Sequence, residues 1–140
     1  MTTMRPAVKR LRHAGLLAPL ALSAIVGSRL PAADHAWEPF DQTSFDQAKA
    51  AGKTVVLHCH APWCPICKAQ QAILAHLLVQ PEFGGVLGFV IDYDSASQVR
   101  GALHITRPST LVVYKGMVEV GRSTGATDEA AVSALIRAGF

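Results

Sequence analysis

At 140 residues, half of them hydrophobic and only 6% aromatic, the chain has room for one domain with a core of mostly aliphatic side chains. Its formal charge of +3 comes from one end: Arg5, Lys9, Arg10, Arg12 and Arg29 precede position 34, whereas all ten Asp and Glu residues lie at or beyond it. The remainder is net acidic, so the basic balance describes the N-terminal segment and gives no argument for a nucleic-acid partner.

Residues 1–33 have the three parts of an export signal. A basic stretch from Arg5 to Arg12 precedes an apolar segment from Ala14 to about Val26, and small residues follow, ending in Ala32 and Ala33. The apolar segment is shorter than the roughly 20 residues of a membrane-spanning helix and contains Pro19. We therefore expect a cleaved signal peptide over 1–33 and a domain over 34–140, periplasmic or otherwise exported. Cleavage after Ala33 leaves Pro31 in a position that favours small residues, so a site near Ser28 competes with it. An uncleaved segment that anchors the protein to a membrane is the alternative.

Within the domain, Ser44 is placed to cap a helix that runs to about Ala51, with Phe45 and Ala48 inward and Gly52 closing it. Val55 to His60 reads as a buried strand that Pro62 interrupts. The strongest helical pattern follows: Ile66, Ala69, Ile73, Leu74, Leu77 and Leu78 recur at spacings that align them on one face, until Pro81, Gly84 and Gly85 end it. Val86 to Ile91 is a second strand, closed by Asp92, Tyr93 and Asp94. Ser95 or Ser97 can cap a short helix through Leu103. Beyond Pro108, Thr110 to Tyr114 form a third strand, and Lys115–Gly116 turns it into an antiparallel partner that starts at Val118. Thr127 is placed to cap a last helix with Val132, Leu135 and Ile136 inward. This alternation predicts an α/β domain, a central mixed β-sheet flanked by helices on both faces.

The chemistry points to Cys64–Pro65–Ile66–Cys67. Three cysteines, an odd number, do not make a structural disulfide framework. A Cys-x-x-Cys pair is either a redox couple or half of a metal site. Thiol–disulfide exchange needs an attacking thiolate and a second thiol close enough to resolve the mixed disulfide. Cys64 lies at the expected start of the strong helix, where unpaired amide groups and the helix dipole favour an anion. Such surroundings bring cysteine pKa values into a range of roughly 3.5–7.5. Pro65 suits the first helical turn, where an amide hydrogen has no intrahelical partner. Ile66 adds an uncharged contact surface. On this reading Cys64 is the nucleophile and Cys67 the resolving thiol. The rival is a metal-binding or metal-delivery module that uses the pair with His58, His60 or Cys59. As neighbours on a strand, His58 and Cys59 should face opposite sides of the sheet, which opposes that reading and makes Cys59 a buried, inert thiol.

The segment Ala61–Pro62–Trp63–Cys64–Pro65–Ile66–Cys67–Lys68 resembles the active-site segment of the thioredoxin superfamily, and Pro108–Ser109–Thr110–Leu111 resembles its cis-proline loop and following strand. The similarity extends over about residues 37–140. It implies a thioredoxin-like fold and protein-disulfide oxidoreductase activity without a cofactor, with Trp63 bordering the site and Pro108 cis, packed beside the cysteine pair and part of a substrate groove. His58, six residues before Cys64, stands where the family carries a buried acid that helps deprotonate the resolving cysteine. A histidine there could take the Cys67 proton, or as a cation stabilise a thiolate. Arg107 stands before Pro108, where the family is usually apolar, and its guanidinium could favour a thiolate or contact substrate. The expected substrates are exported proteins with thiols or disulfides, with the reductase direction slightly favoured. No dinucleotide-binding glycine motif is present, so a reductase of this kind needs a membrane electron-transfer partner. The oligomeric state is not legible.

Overall fold

The computed structural model describes residues 37–140, so the expected signal peptide over 1–33 lies outside the described residues. Five strands form one sheet: β1 (Glu38–Pro39), β2 (Thr54–His60), β3 (Val86–Asp92), β4 (Thr110–Lys115) and β5 (Val118–Thr124). Their spatial order is β1-β3-β2-β4-β5, with β1, β3 and β2 parallel and β4 and β5 antiparallel to their neighbours. Four helices accompany them: α1 (Gln42–Ala50), α2 (Pro65–Leu78), α3 (Ser97–Ala102) and α4 (Glu129–Arg137). The α/β class, the mixed sheet and the helices on both faces are as expected.

β2 occupies the middle of the sheet, and from Thr54 to Cys59 every side chain is buried. Its alternation sorts the core into two layers. Val55, Leu57 and Cys59 join Phe45 and Ala48 of α1 and the half-buried Val99 of α3, together with Phe89, Ile91, Val112 and Tyr114. Val56 faces the other way, among Leu74, Leu77 and Leu78 of α2, Val132 and Ile136 of α4, and Phe83, Leu111 and Val113. Each fully buried aliphatic or aromatic side chain contributes about 1.5–3 kcal/mol relative to exposure, so these two layers supply the driving force for the fold.

Two helix starts differ from expectation for one reason: a carboxylate outcompetes a hydroxyl for the free amides of the first turn. Asp41, not Ser44, caps α1 by accepting from the Ser44 amide. Asp128, not Thr127, caps α4 by accepting from the Ala131 amide. No side chain caps α3; Ser95 instead closes a turn in which Asp92 accepts from its amide and hydroxyl. The buried face of α2 is also rotated from the expected stripe. Cys67, Gln70, Leu74, Leu77 and Leu78 are buried and Ile73 half-buried, whereas Ile66 and Ala69 are exposed. Trp37 packs its indole over Gly88, where an added Cβ would lie 2.9 Å from the ring, and meets the His58 ring edge-on at 5.9 Å.

Candidate active site

Three chain segments meet at one edge of the sheet. β2 and β3 are parallel, so both end there, and β4, antiparallel to β2, begins there. The end of β2 delivers Ala61, Pro62, Trp63 and the cysteine pair; the end of β3 delivers Tyr93 and Asp94; the start of β4 delivers Arg107, Pro108 and Ser109.

Cys64 is the N-cap of α2. Its backbone is extended (φ −90°, ψ 109°), and its sulfur accepts the Cys67 amide hydrogen at 3.1 Å. Pro65 takes the first helical position, as expected. The two cysteine sulfurs lie at disulfide distance, with their Cα atoms 5.3 Å apart. They differ in exposure: Cys64 retains 5% and Cys67 none. Cys67 sits inside, its sulfur 3.8 Å from the Cys59 carbonyl oxygen.

Around the pair lies an apolar rim. Trp63 is 62% exposed and Ile66 42%. The indole is not free to swing, because its Nε1–H donates to both carboxylate oxygens of Asp94, at 3.0 and 3.3 Å. Tyr93 meets it edge-on at 6.1 Å, and the Arg100 guanidinium lies over the Tyr93 ring, 4.0 Å from its centre. Tyr93 and Asp94 are absent from the sequence-derived site. They enter it because the parallel pairing of β2 and β3 aligns the ends of those strands.

The loop before β4 departs from expectation. The Arg107–Pro108 peptide is trans, as are all peptide bonds among the described residues. The chain turns into β4 through Ser109 instead, which takes up a left-handed conformation (φ 57°). Ser109 is also the residue tied to the site: its amide donates to the Cys59 carbonyl at 2.8 Å, the same oxygen that faces the Cys67 sulfur. Pro108 is half-buried beside it. Arg107 is exposed, and its carbonyl accepts from the Thr110 hydroxyl at 2.8 Å.

On the α2 side of the sheet lies a set of buried polar side chains. His58 is 1% exposed, and burial, reinforced by the nearby His60, lowers its pKa to about 4. Burial thus favours the neutral imidazole over the cation at neutral pH. The His60 ring lies 5.6 Å from it and is half-buried. Gln70 is fully buried one helical turn beyond Cys67, a residue missed in the sequence although the Cys67, Gln70, Leu74, Leu77 spacing marks one helix face. Cys59 projects to the opposite side, among Val55 and Leu57, and burial pushes its thiol up to about 11. Its side of the sheet and its burial are as its strand position implied. Among the described residues, no group of three or more His, Cys, Asp or Glu side chains is placed to hold a metal ion.

A cysteine pair at disulfide distance, one sulfur capping a helix at the edge of a mixed sheet, defines a thiol–disulfide oxidoreductase. The thioredoxin family model matches residues 37–138, and the chain belongs to that family. It is 31% identical to Thioredoxin-2 of Saccharomyces cerevisiae over 94 residues, covering 66% of this chain and 88% of that protein. A thioredoxin of Aspergillus fumigatus is 30% identical over 81 residues, covering 58% of this chain and 74% of that one. Among solved structures, Trxlp from Edwardsiella tarda aligns with a TM-score of 0.70 and 33% identity, covering 72% of this chain and 98% of that one.

Proposed function

We propose that the protein is exported and reduces disulfides in other exported proteins, with Cys64 as nucleophile and Cys67 as resolving thiol. The observation that carries the assignment of roles is the Cys67 amide hydrogen bond to the Cys64 sulfur, together with the complete burial of Cys67. In the reducing direction the Cys64 thiolate attacks one sulfur of a substrate disulfide. That bond breaks, a mixed disulfide forms, and the first substrate sulfur leaves as a thiolate that takes up a proton. Cys67 then loses its proton to a base, and its thiolate attacks the Cys64 sulfur. The Cys64–Cys67 disulfide forms, and the second substrate sulfur leaves and is protonated. Two electrons pass from the cysteine pair to the substrate. His58 is the base in this reading, since it is a buried imidazole at the position of the family's buried acid.

Export rests on the pattern of residues 1–33, and the reducing direction on the overall likeness to thioredoxins. Re-reduction outside the cytoplasm calls for a membrane electron-transfer partner. Trp63 and Ile66 offer the apolar surface against which an extended substrate rests. Two measurements test the reading. Equilibration of the pair against glutathione buffers should give a potential nearer about −270 mV than about −120 mV; a value at the upper end would assign it to disulfide formation. Fractionation of a Gram-negative host that expresses the full chain should place it in the periplasm with a new N-terminus near position 34. Retention on the membrane with Met1 intact would assign an anchored form.

A further inference from the structure

The segment between α3 and β4 is bounded by two non-glycine residues in the left-handed region, His104 (φ 54°) and Ser109 (φ 57°). Side chains with a Cβ rarely adopt that conformation, so each end needs something to hold it. At His104 the Arg122 guanidinium, itself paired with Glu119, donates to the carbonyls of Leu103 and His104, each at 3.2 Å. At Ser109 the backbone is engaged at both of its polar atoms. Its amide donates to the Cys59 carbonyl at 2.8 Å, and its carbonyl accepts from the Gly125 amide at 2.9 Å and from Gln70 Nε2 at 3.0 Å.

The Gln70 bond is the one that comes from the helix of the cysteine pair. Nε2 donates a second time, to the Ala126 carbonyl at 3.0 Å. Both partners are carbonyl oxygens, which only accept, so the amide faces them with its nitrogen. The neighbours of Gln70 on the buried face of α2 are Leu74, Leu77 and Leu78. A glutamine among them, fully buried, is costly unless its amide is bonded. Its two bonds tie α2 to the turn before β4 and to the turn before α4.

The tied loop borders the site. The Cys59 carbonyl oxygen that accepts from the Ser109 amide also lies 3.8 Å from the Cys67 sulfur. Tyr93, packed against Ala61, Cys64 and Cys67, donates its hydroxyl to the Thr106 carbonyl at 3.3 Å. A protein segment joined to Cys64 through a sulfur extends past the residues that border the pair, whereas a small disulfide does not.

We propose that Gln70 is a positioning residue for protein substrates: its amide holds the left-handed Ser109 turn, and with it the Arg107–Pro108 backbone, in one place relative to the cysteine pair. The role rests on the reading that a protein disulfide docks beside Cys64. It concerns how the substrate seats and leaves the transfer of electrons between sulfurs unchanged. Without the Gln70 donor, Ser109 can relax to negative φ and the loop spreads over several arrangements. A docking protein then has to select one of them, which weakens binding by the fraction that is competent.

Gln70→Met, close in length and unable to donate, tests this with insulin as the protein disulfide and oxidised glutathione as the small one. KM for insulin should rise by about threefold to tenfold, the range of one net hydrogen bond, with kcat and the glutathione rate unchanged. Glycine takes up positive φ without being held, so on a Ser109→Gly background the same substitution should change KM by less than about twofold. That background also serves where Gln70→Met alone does not fold. Equal slowing with both disulfides, no change with either, or the full KM effect on the Ser109→Gly background overturns the role of Gln70 and leaves the reading of the function standing. A wild type that reduces glutathione disulfide but not insulin removes that reading, and the role of Gln70 with it.

Discussion

The backbone amide of Cys67 donates to the sulfur of Cys64 at 3.1 Å, so the cysteine that caps α2 is held by the one it pairs with. Asp41 and Asp128 make the corresponding bond at the starts of α1 and α4 with carboxylate oxygens. Here a sulfur takes the place of the anionic oxygen, which is the physical basis for assigning the attack to Cys64.

From this relationship the two cysteine variants should behave differently. Cys64→Ser should reduce exchange with a model disulfide to the uncatalysed level. Cys67→Ser should still attack but be unable to resolve, and should accumulate a mixed disulfide visible in the intact mass. Accumulation in Cys64→Ser instead would reverse the roles.

His58 makes stability depend on pH. Its folded pKa of about 4 lies below the usual 6.5, so the unfolded chain takes up the proton first. The stabilisation from keeping His58 neutral is whole above pH 6.5 and is lost as the pH falls from 6.5 towards 4, on the order of 3 kcal/mol in all. Urea unfolding from pH 7.5 to pH 4 measures it. His58→Phe should flatten this limb; an unchanged slope would assign the loss to other groups.

Cys59 should resist modification in the folded protein. With its thiol pushed up to about 11 and no exposed surface, almost none is thiolate at pH 7. After reduction, a thiol-counting reagent should find the Cys64–Cys67 pair quickly and Cys59 only on unfolding. Cys59→Ala should cost about 1–2 kcal/mol through the small cavity it leaves while leaving exchange intact.

The rim should show the opposite balance of effects. Trp63→Ala removes a ring that is largely exposed, so stability should change by less than about 1 kcal/mol. The rate with protein disulfides should fall more than the rate with a small-molecule disulfide, since only the larger substrate reaches the rim. Asp94→Ala frees the indole and should produce a weaker version of the same difference, which comparison of the two substrates will show.

Gly88 tests how tightly Trp37 closes the His58 side of the sheet. An alanine Cβ there would come within 2.9 Å of the indole, so Gly88→Ala should destabilise by about 1–3 kcal/mol and alter the tryptophan fluorescence.

Legible in the linear chain were the order of elements, the Cys64–Cys67 chemistry, the opposite orientations of His58 and Cys59, and Pro65 at the helix start. These depend on local rules: apolar periodicity, the alternation of a strand, and the amides of a first helical turn. The rotation of α2 about its axis, which buries Gln70 and exposes Ile66, was decided by packing against β2 and α4, because both stripes satisfy a helical period. Asp94 joins Trp63 only because β2 and β3 run parallel and end together. The replacement of an expected cis Pro108 by a left-handed Ser109 follows from how β4 enters the sheet, with the Ser109 amide taken by the Cys59 carbonyl. The neutral state of His58 likewise depends on burial, which no short stretch of sequence contains. Local order thus supplied the reacting sulfurs, and tertiary packing supplied the side chains that surround them.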